Sequence, residues 1–246
     1  MKALNAKGKS VLVIGDTHIP YDHIDYTKWL KAVKKKYLNK KSLVIHIGDE
    51  VDFNKFSFHE PHDPDIEFSP SSELQACIDE IHRPGGLYKL FPKLFLCSSN
   101  HGDLIYRRAS KKGGLPLHVI KSYSEILQVK NWEWHEDYLL DTKQGPVYIH
   151  HGRSSNIAKV VGSNQSSVIQ GHYHGLHKIE IFQGIKGKFF GCQTGCLVDE
   201  SNRAFNYGKL SLSRPILGSA LIKECGTPTL LTMNLDKNNR WDGIVS

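Results

Sequence analysis

Val11-Leu12-Val13-Ile14-Gly15-Asp16-Thr17-His18 is a short apolar run that breaks, at a glycine, into a turn carrying a carboxylate and an imidazole. With Ser10 in front, the run reads as a buried strand. The same pattern returns four more times. Ser42–Ile47 ends in Gly48-Asp49-Glu50-Val51-Asp52, and Lys93–Cys97 ends in Ser98-Ser99-Asn100-His101-Gly102-Asp103. Val147–Ile149 ends in His150-His151-Gly152, and Ser167–Ile169 in Gly171-His172-Tyr173-His174. In α/β sheets, function gathers beyond the carboxyl ends of strands, where the loops converge on one rim. Ile24, Trp29, Leu30 and Val33 follow the first turn at near-helical spacing, which predicts a helix from Asp25 to about Tyr37. From His177 to Leu235, short β-rich runs alternate with Gly and Pro turns, as antiparallel strands do.

Composition narrows the class. The chain has 246 residues, 39% hydrophobic and 23% charged, which suits one domain with a packed core and excludes wholesale disorder. No apolar run is long enough to span a membrane, and the polar, lysine-bearing start does not resemble a signal peptide. The expectation is a cytoplasmic protein. Five cysteines (Cys77, Cys97, Cys192, Cys196 and Cys225) include no C-x-x-C pair and read as reduced core thiols. The formal charge of +7 favours polyanionic partners, nucleic acid above all. Fourteen histidines are many, and they cluster at the strand-end turns. The turns together offer oxygen and nitrogen donors without a thiolate, a set suited to Mn, Fe, Co, Ni or Zn and numerous enough for two ions.

The ordered set Asp16-x-His18, Gly48-Asp49-x-x-Asp52, Asn100-His101, His151-Gly152 and Gly171-His172-x-His174 resembles the calcineurin-like metallophosphoesterase family, from residue 11 to about 174. The resemblance implies an α/β fold of two packed mixed β-sheets flanked by helices, with a bimetal site at the strand-end rim. It implies that Asp16, His18, Asp49 and His174 hold one divalent ion, and that Asp49 bridges to a second completed by Asn100, His151 and His172. Mn is the expected metal, with Fe, Zn, Co or Ni as alternatives. A hydroxide between the ions would attack phosphorus, and His101 would protonate or stabilise the leaving oxygen. The family's third block reads Gly-Asn-His followed by an acidic residue. Here Ser99 and Gly102 depart from it, which leaves Asp103 or Asp52 to orient His101. Of His150 and His151, the one before glycine is taken as the ligand, since neighbours in a strand point to opposite faces.

In the family's Ser/Thr phosphatase branch an arginine follows the second block, and Phe53 stands in that place here. The stretch 53–92, with Phe53, Phe56, Phe58, His59, His62 and Phe68, is expected to overhang the site as a lid or substrate wall within the single domain 1–246. Phe53 and His59 would then face substrate; a small satellite core is the alternative for Phe53 and Phe56. Arg107 and Arg108, close behind Asp103, could track a polynucleotide backbone, whereas Lys34-Lys35-Lys36 and Lys40-Lys41 read as solvated surface. The leading expectation is a phosphodiesterase acting on DNA or RNA. A phosphatase or phosphodiesterase of nucleotides, cyclic nucleotides or phosphoproteins is the alternative. A non-catalytic scaffold, which predicts eroded ligands, comes third. Oligomeric state is silent: a strand from Thr229 to Leu235 could pair across a dimer or finish a sheet.

Overall fold

The computed structural model describes residues 1–57, 69–111, 114, 116, 121–200 and 214–245. Phe58, His59, His62 and Phe68 lie outside the described residues. Among the described residues, twelve strands form two six-stranded sheets. One runs β12(Pro228–Thr232)-β11(Gly218–Ile222)-β2(Val11–Ile14)-β3(Leu43–His46)-β4(Leu94–Cys97)-β5(Trp132–His135). The other runs β1(Lys2–Asn5)-β6(Asp137–Thr142)-β7(Gly145–His150)-β8(Ser167–Gln170)-β10(Gly187–Thr194)-β9(His177–Gly184). Strands β2, β3, β4 and β5 are mutually parallel, and β7, β8 and β10 are parallel in the other sheet. The antiparallel strands sit at the margins, so both sheets are mixed. Strand β12 closes its sheet by pairing with β11.

Each strand's period of two sorts its residues between layers. Val11 and Val13 join Ile45, Ile47, Tyr138, Ile149 and Ile169 in the core between the sheets, while Leu12 and Ile14 face outward onto a helical layer. That layer contains α1(Tyr26–Tyr37), α2(Pro70–His82) and α3(Leu87–Leu90), with Trp29, Leu30, Cys77 and Ile81 fully buried. On the other outer face, α6(Ile157–Asn164) covers Tyr148 and Val168. Burial on both faces is why the central strands are continuously apolar. Each such aliphatic side chain contributes roughly 1.5–3 kcal/mol by leaving water. The described residues hold no helix long and apolar enough to cross a membrane.

Two expectations meet the structure here. Of the stretch 53–92, residues 69–92 pack on the main core: α2 begins with a Ser69 capping box and Pro70 at its first turn, and its buried face belongs to that core, while 58–68 lie outside the described residues. Four cysteines are buried free thiols as expected, but Cys225 is exposed.

The carboxyl-terminal segment is clamped to the start of α1. The Arg240 guanidinium donates to both Asp25 oxygens at 2.6 and 2.7 Å, and the Trp241 backbone N–H donates to Asp25 Oδ2. Arg240, with Lys28 beside it, holds the Asp25 carboxyl well below the usual carboxylate range, against the opposing cost of burial. A depressed folded-state value contributes stability that is present above the unfolded value of about 3.9 and fades as pH falls toward the folded one. Asp25→Ala is expected to cost about 2 kcal/mol at pH 7, lowering Tm by roughly 4–8 °C. Thermal melts of both proteins should show the gap narrowing between pH 5 and pH 3; a gap independent of pH would refute the charge account.

Candidate metal centre

All five polar turns lie at one rim. Asp16 and His18 follow β2, Asp49 follows β3, Asn100 and His101 follow β4, His151 follows β7, and His172 and His174 follow β8. Backbone bonds lock the first two turns together, since the Asp49 carbonyl accepts from the Thr17 and His18 N–H groups. His18, Asp49 and His172 all adopt positive φ (49°, 50° and 68°). Such backbone costs about 1–3 kcal/mol per residue and persists where the surroundings over-determine it. Gly171 is required by closeness: a Cβ there would stand 2.4 Å from Asp16 Oδ1 and 2.5 Å from Ile47 Cγ2.

The donors form two groups sharing Asp49. In the first, the Nε2 atoms of His18 and His174 are 3.1 Å apart, with Asp16 Oδ2 3.3 Å from His174 and Asp49 Oδ2 3.5 Å from His18. In the second, His151 Nε2 stands 3.1 Å from Asp49 Oδ2, 2.8 Å from Asn100 Oδ1 and 3.1 Å from His172 Nδ1. Ligands about 2.1 Å from one ion stand about 3 Å apart, so these spacings suit a divalent cation in each group. Asp16 Oδ1 is buried without a hydrogen-bond partner, an orphaned acceptor that a cation would satisfy. The residues fit two metals.

Polar atoms behind the donors fix their tautomers. His18 Nδ1–H donates to Asp52 Oδ1 at 2.6 Å, and His151 Nδ1–H points to the Ile47 carbonyl at 3.3 Å, leaving each Nε2 facing the centre. His101 Nδ1–H donates to the Asp52 backbone carbonyl, and Asp52 Oδ1 lies 3.3 Å from the same nitrogen. Asp52 therefore positions both imidazoles.

Electrostatics agree with a cation-binding centre. Burial works against ionising Asp49, but the charges of His151 and His101 outweigh it and hold the carboxyl well below its usual range. Asp16 is also lowered, burial being overcome by His174 and His151. Burial alone would depress His151, yet Asp49 and Asp16 raise it to about 9. His151 must therefore release a proton before its Nε2 can ligate. Burial dominates at His46 and pushes it down to about 4, leaving it a neutral neighbour of Thr17.

Several side chains stand elsewhere than expected. Asp103 opens α4(Leu104–Lys111) with its backbone carbonyl accepting from Arg107 N–H, and its carboxylate lies in the field of Arg107; no bond to His101 is found. Phe53 is wholly buried, edge-on to Phe56 at 5.4 Å and Tyr123 at 6.0 Å, so it is part of the main core and its side chain does not face solvent or substrate. Arg108 donates to the carbonyls of Ser57 at 2.8 Å and Lys55 at 3.4 Å, fastening the loop after the second block instead of lining a track. His150 packs on Tyr148 at 5.0 Å, away from the centre. Glu73 on α2, which sequence reasoning missed, accepts from the N–H groups of Asn54 and Lys55 and from the Tyr21 hydroxyl. It anchors the same loop from inside. Only an acidic residue on a core-facing helix position hinted at it.

Gly171→Ala is expected to fold but to bind divalent metal about 10–100-fold more weakly, because the new methyl displaces the Asp16 carboxylate. Calorimetric titration with Mn²⁺ checks this, and unchanged affinity would mean Asp16 is not a ligand.

No family model matches the chain, and no curated protein matches it. Among solved structures it is similar to Chaetomium thermophilum Vps29, at 12% identity and TM-score 0.48, over 96% of this chain and 95% of that one. An archaeal phosphodiesterase is 13% identical with TM-score 0.45, over 91% and 99%. A conserved protein from Streptococcus pneumoniae, described as a predicted phosphoesterase, is 10% identical with TM-score 0.37, over 97% and 95%. At such distances the assignment rests on the chain itself. With five blocks in order, two packed mixed sheets and the block donors gathered at one rim, the chain has the fold of the calcineurin-like metallophosphoesterases.

Proposed function

We propose that this protein is a dinuclear metal-dependent phosphodiesterase and that its substrate is a polynucleotide. The observation that carries the reading is the position of Asp49 Oδ2, within 3.5 Å of His18 Nε2 and 3.1 Å of His151 Nε2, between the two donor groups. Asp16, His18, Asp49 and His174 would hold one ion, and Asp49, Asn100, His151 and His172 the other. Two divalent ions held there would supply the Lewis acidity needed to activate water and to neutralise phosphate charge. His101 stands beside them, its ring 4.7 Å from that of His18, with Nδ1–H spent on Asp52 and Nε2 left to give a proton to the leaving oxygen. Phe53 in place of a phosphate-gripping arginine supports a diester over a monoester. The formal charge of +7 supports a polyanion.

One observation favours a smaller phosphorylated substrate. The Arg108 guanidinium, one of two cations expected to follow a backbone, is occupied by loop carbonyls. The two readings separate in one assay: Mn²⁺-dependent hydrolysis of a chromogenic phosphodiester and its monoester, with single- and double-stranded DNA and RNA alongside. Cleavage of the diester and of a polynucleotide, both lost with chelator, is expected. Monoester turnover with every polynucleotide untouched would replace the proposal with a small-molecule phosphatase. The scaffold reading predicts eroded ligands, and none of the donors is eroded here.

A further inference from the structure

The lysines read from sequence as unrelated solvated runs come together in the fold. Strands β2, β3, β4 and β5 are consecutive and parallel, so their amino ends share one edge, opposite the metal rim. Each is entered through a lysine: Lys9 before Val11, Lys41 before Leu43, Lys93 before Leu94 and Lys130 before Trp132. By register Lys9 is level with Lys41, Lys93 stands two residues further in over the Phe95 ring and Lys130 one residue further out than Lys93, so at about 4.8 Å between strands the four cations form a staggered patch about 14 Å across. The last turn of α1 ends at the same edge and adds Lys35 and Lys36.

The patch carries little free counter-charge. No Asp or Glu occurs in 5–15, 26–48, 81–102 or 126–132, and the carboxylates that border it, Glu133 and Asp141, pair with Lys2 and Lys7. Lys9 donates to the Asn5 carbonyl and Lys36 to the Val245 carbonyl, neither of which neutralises a charge. The nearest carboxylate in the adjoining β11–β12 turn, Glu224, accepts from Asn39 and has Lys223 next to it in the chain. Lys41, Lys93 and Lys130 are exposed.

We infer that this edge is a second polyanion-binding surface, which grips the sugar-phosphate backbone of a nucleic acid remote from the metal centre. A strip of cations with few free carboxylates matches the phosphates of a polynucleotide backbone, with affinity from counterion release. An anionic membrane would also attract lysines, but stable docking needs apolar side chains among them. Of the exposed large hydrophobics among the described residues, Ile24, Ile181, Ile185 and Ile216 lie outside these segments, and Ile244, beside the Val245 that Lys36 contacts, and Met1, beside Lys2, border the edge as isolated side chains without forming an apolar face. The inference concerns binding, not cleavage, and holds or fails apart from the nuclease proposal.

The test is fluorescence anisotropy of labelled 30-nucleotide single strands and duplexes with full-length protein, in chelator so that nothing is cut, across a salt series. The variant Lys41→Gln/Lys93→Gln/Lys130→Gln should bind at least about tenfold more weakly, and its salt slope should be shallower by about 3. A control, Lys159→Gln/Lys178→Gln/Lys237→Gln, removes equal charge elsewhere and should change the slope little. Circular dichroism and melts verify that both fold. Equal weakening in the two variants would overturn the inference in favour of net charge alone. Unchanged binding in the first would overturn it outright. Loss of binding to phosphatidylserine vesicles with polynucleotide affinity intact would replace it with a membrane surface.

Discussion

Asp49→Asn is expected to abolish hydrolysis, by at least about a thousandfold, or roughly 4 kcal/mol at 1.36 kcal/mol per decade. The substitution keeps the shape of the side chain and removes its charge. In the folded chain Asp49 Oδ2 is the atom common to both donor groups, and the second oxygen accepts from the His101 backbone N–H. On the proposed assignment both ions would lose their shared anionic ligand, and metal content measured by mass spectrometry should fall together with turnover of a chromogenic diester. Without metal, stability should fall as well. The folded chain holds the Asp49 carboxyl well below its usual range, because the charges of His151 and His101 outweigh the cost of burial, and that net contribution is lost with the charge. A Tm in chelator below that of the unsubstituted protein at pH 7 is the matching expectation. Two ions per chain retained in Asp49→Asn would show that the bridge lies elsewhere.

What could be read from the chain, and what could not, divides along a physical line. Central strands of a covered sheet are buried on both faces, so β2, β3, β4, β7 and β8 appear as apolar runs, and their polar terminations are conspicuous. That is why the polar turns stood out before any geometry, and the resemblance to the metallophosphoesterases then singled out Asp16, His18, Asp49, Asn100, His151, His172 and His174 within them. The margins were harder. Trp132-Glu133-Trp134-His135 forms β5 at a sheet edge, where burial is partial and no apolar run announces a strand. The polar Lys2–Asn5 pairs with β6 as an edge strand for the same reason. Ser69-Pro70, by contrast, is a readable helix start inside the stretch 53–92.

Support for the rim was less legible still, because it is made by backbone and by distant carboxylates. Nothing in Asp52 as a residue type says that its side chain would orient His18 while its carbonyl orients His101. The choice between Asp52 and Asp103 turned on a chain reversal at the second block, where Phe53 adopts φ 52° and carries the Asp52 carbonyl toward the third. Glu73 and Arg108 likewise act on the loop 54–57 through its N–H and carbonyl groups, which a sequence does not display. The lysine patch has the same origin: its members are 32, 52 and 37 residues apart in the chain and become neighbours through parallel strand order alone.

His101→Ala is expected to keep both metals and still lose about 10²–10⁴-fold in turnover, the range of a general acid. The loss should grow as the leaving group worsens. An activated nitrophenolate departs without a proton, whereas an alkoxide of the kind a sugar-phosphate backbone releases needs one. His101 is oriented to supply it, since Asp52 takes its Nδ1–H and leaves Nε2 free to serve substrate. Burial lowers its proton affinity, but Asp49 and Asp52 outweigh burial and raise it above the ordinary histidine value. A competing role is within reach, because atoms of His18, Asp49 and His101 lie within 4.8 Å of one another and could themselves surround an ion. The two roles predict different numbers. A general acid gives full metal content, a steep dependence on leaving group and little loss on the activated diester; a ligand gives one missing ion and equal losses on every substrate. Metal analysis alongside a series of substituted phenyl diesters separates them, and an emptied site in His101→Ala would reassign the residue to the metal centre.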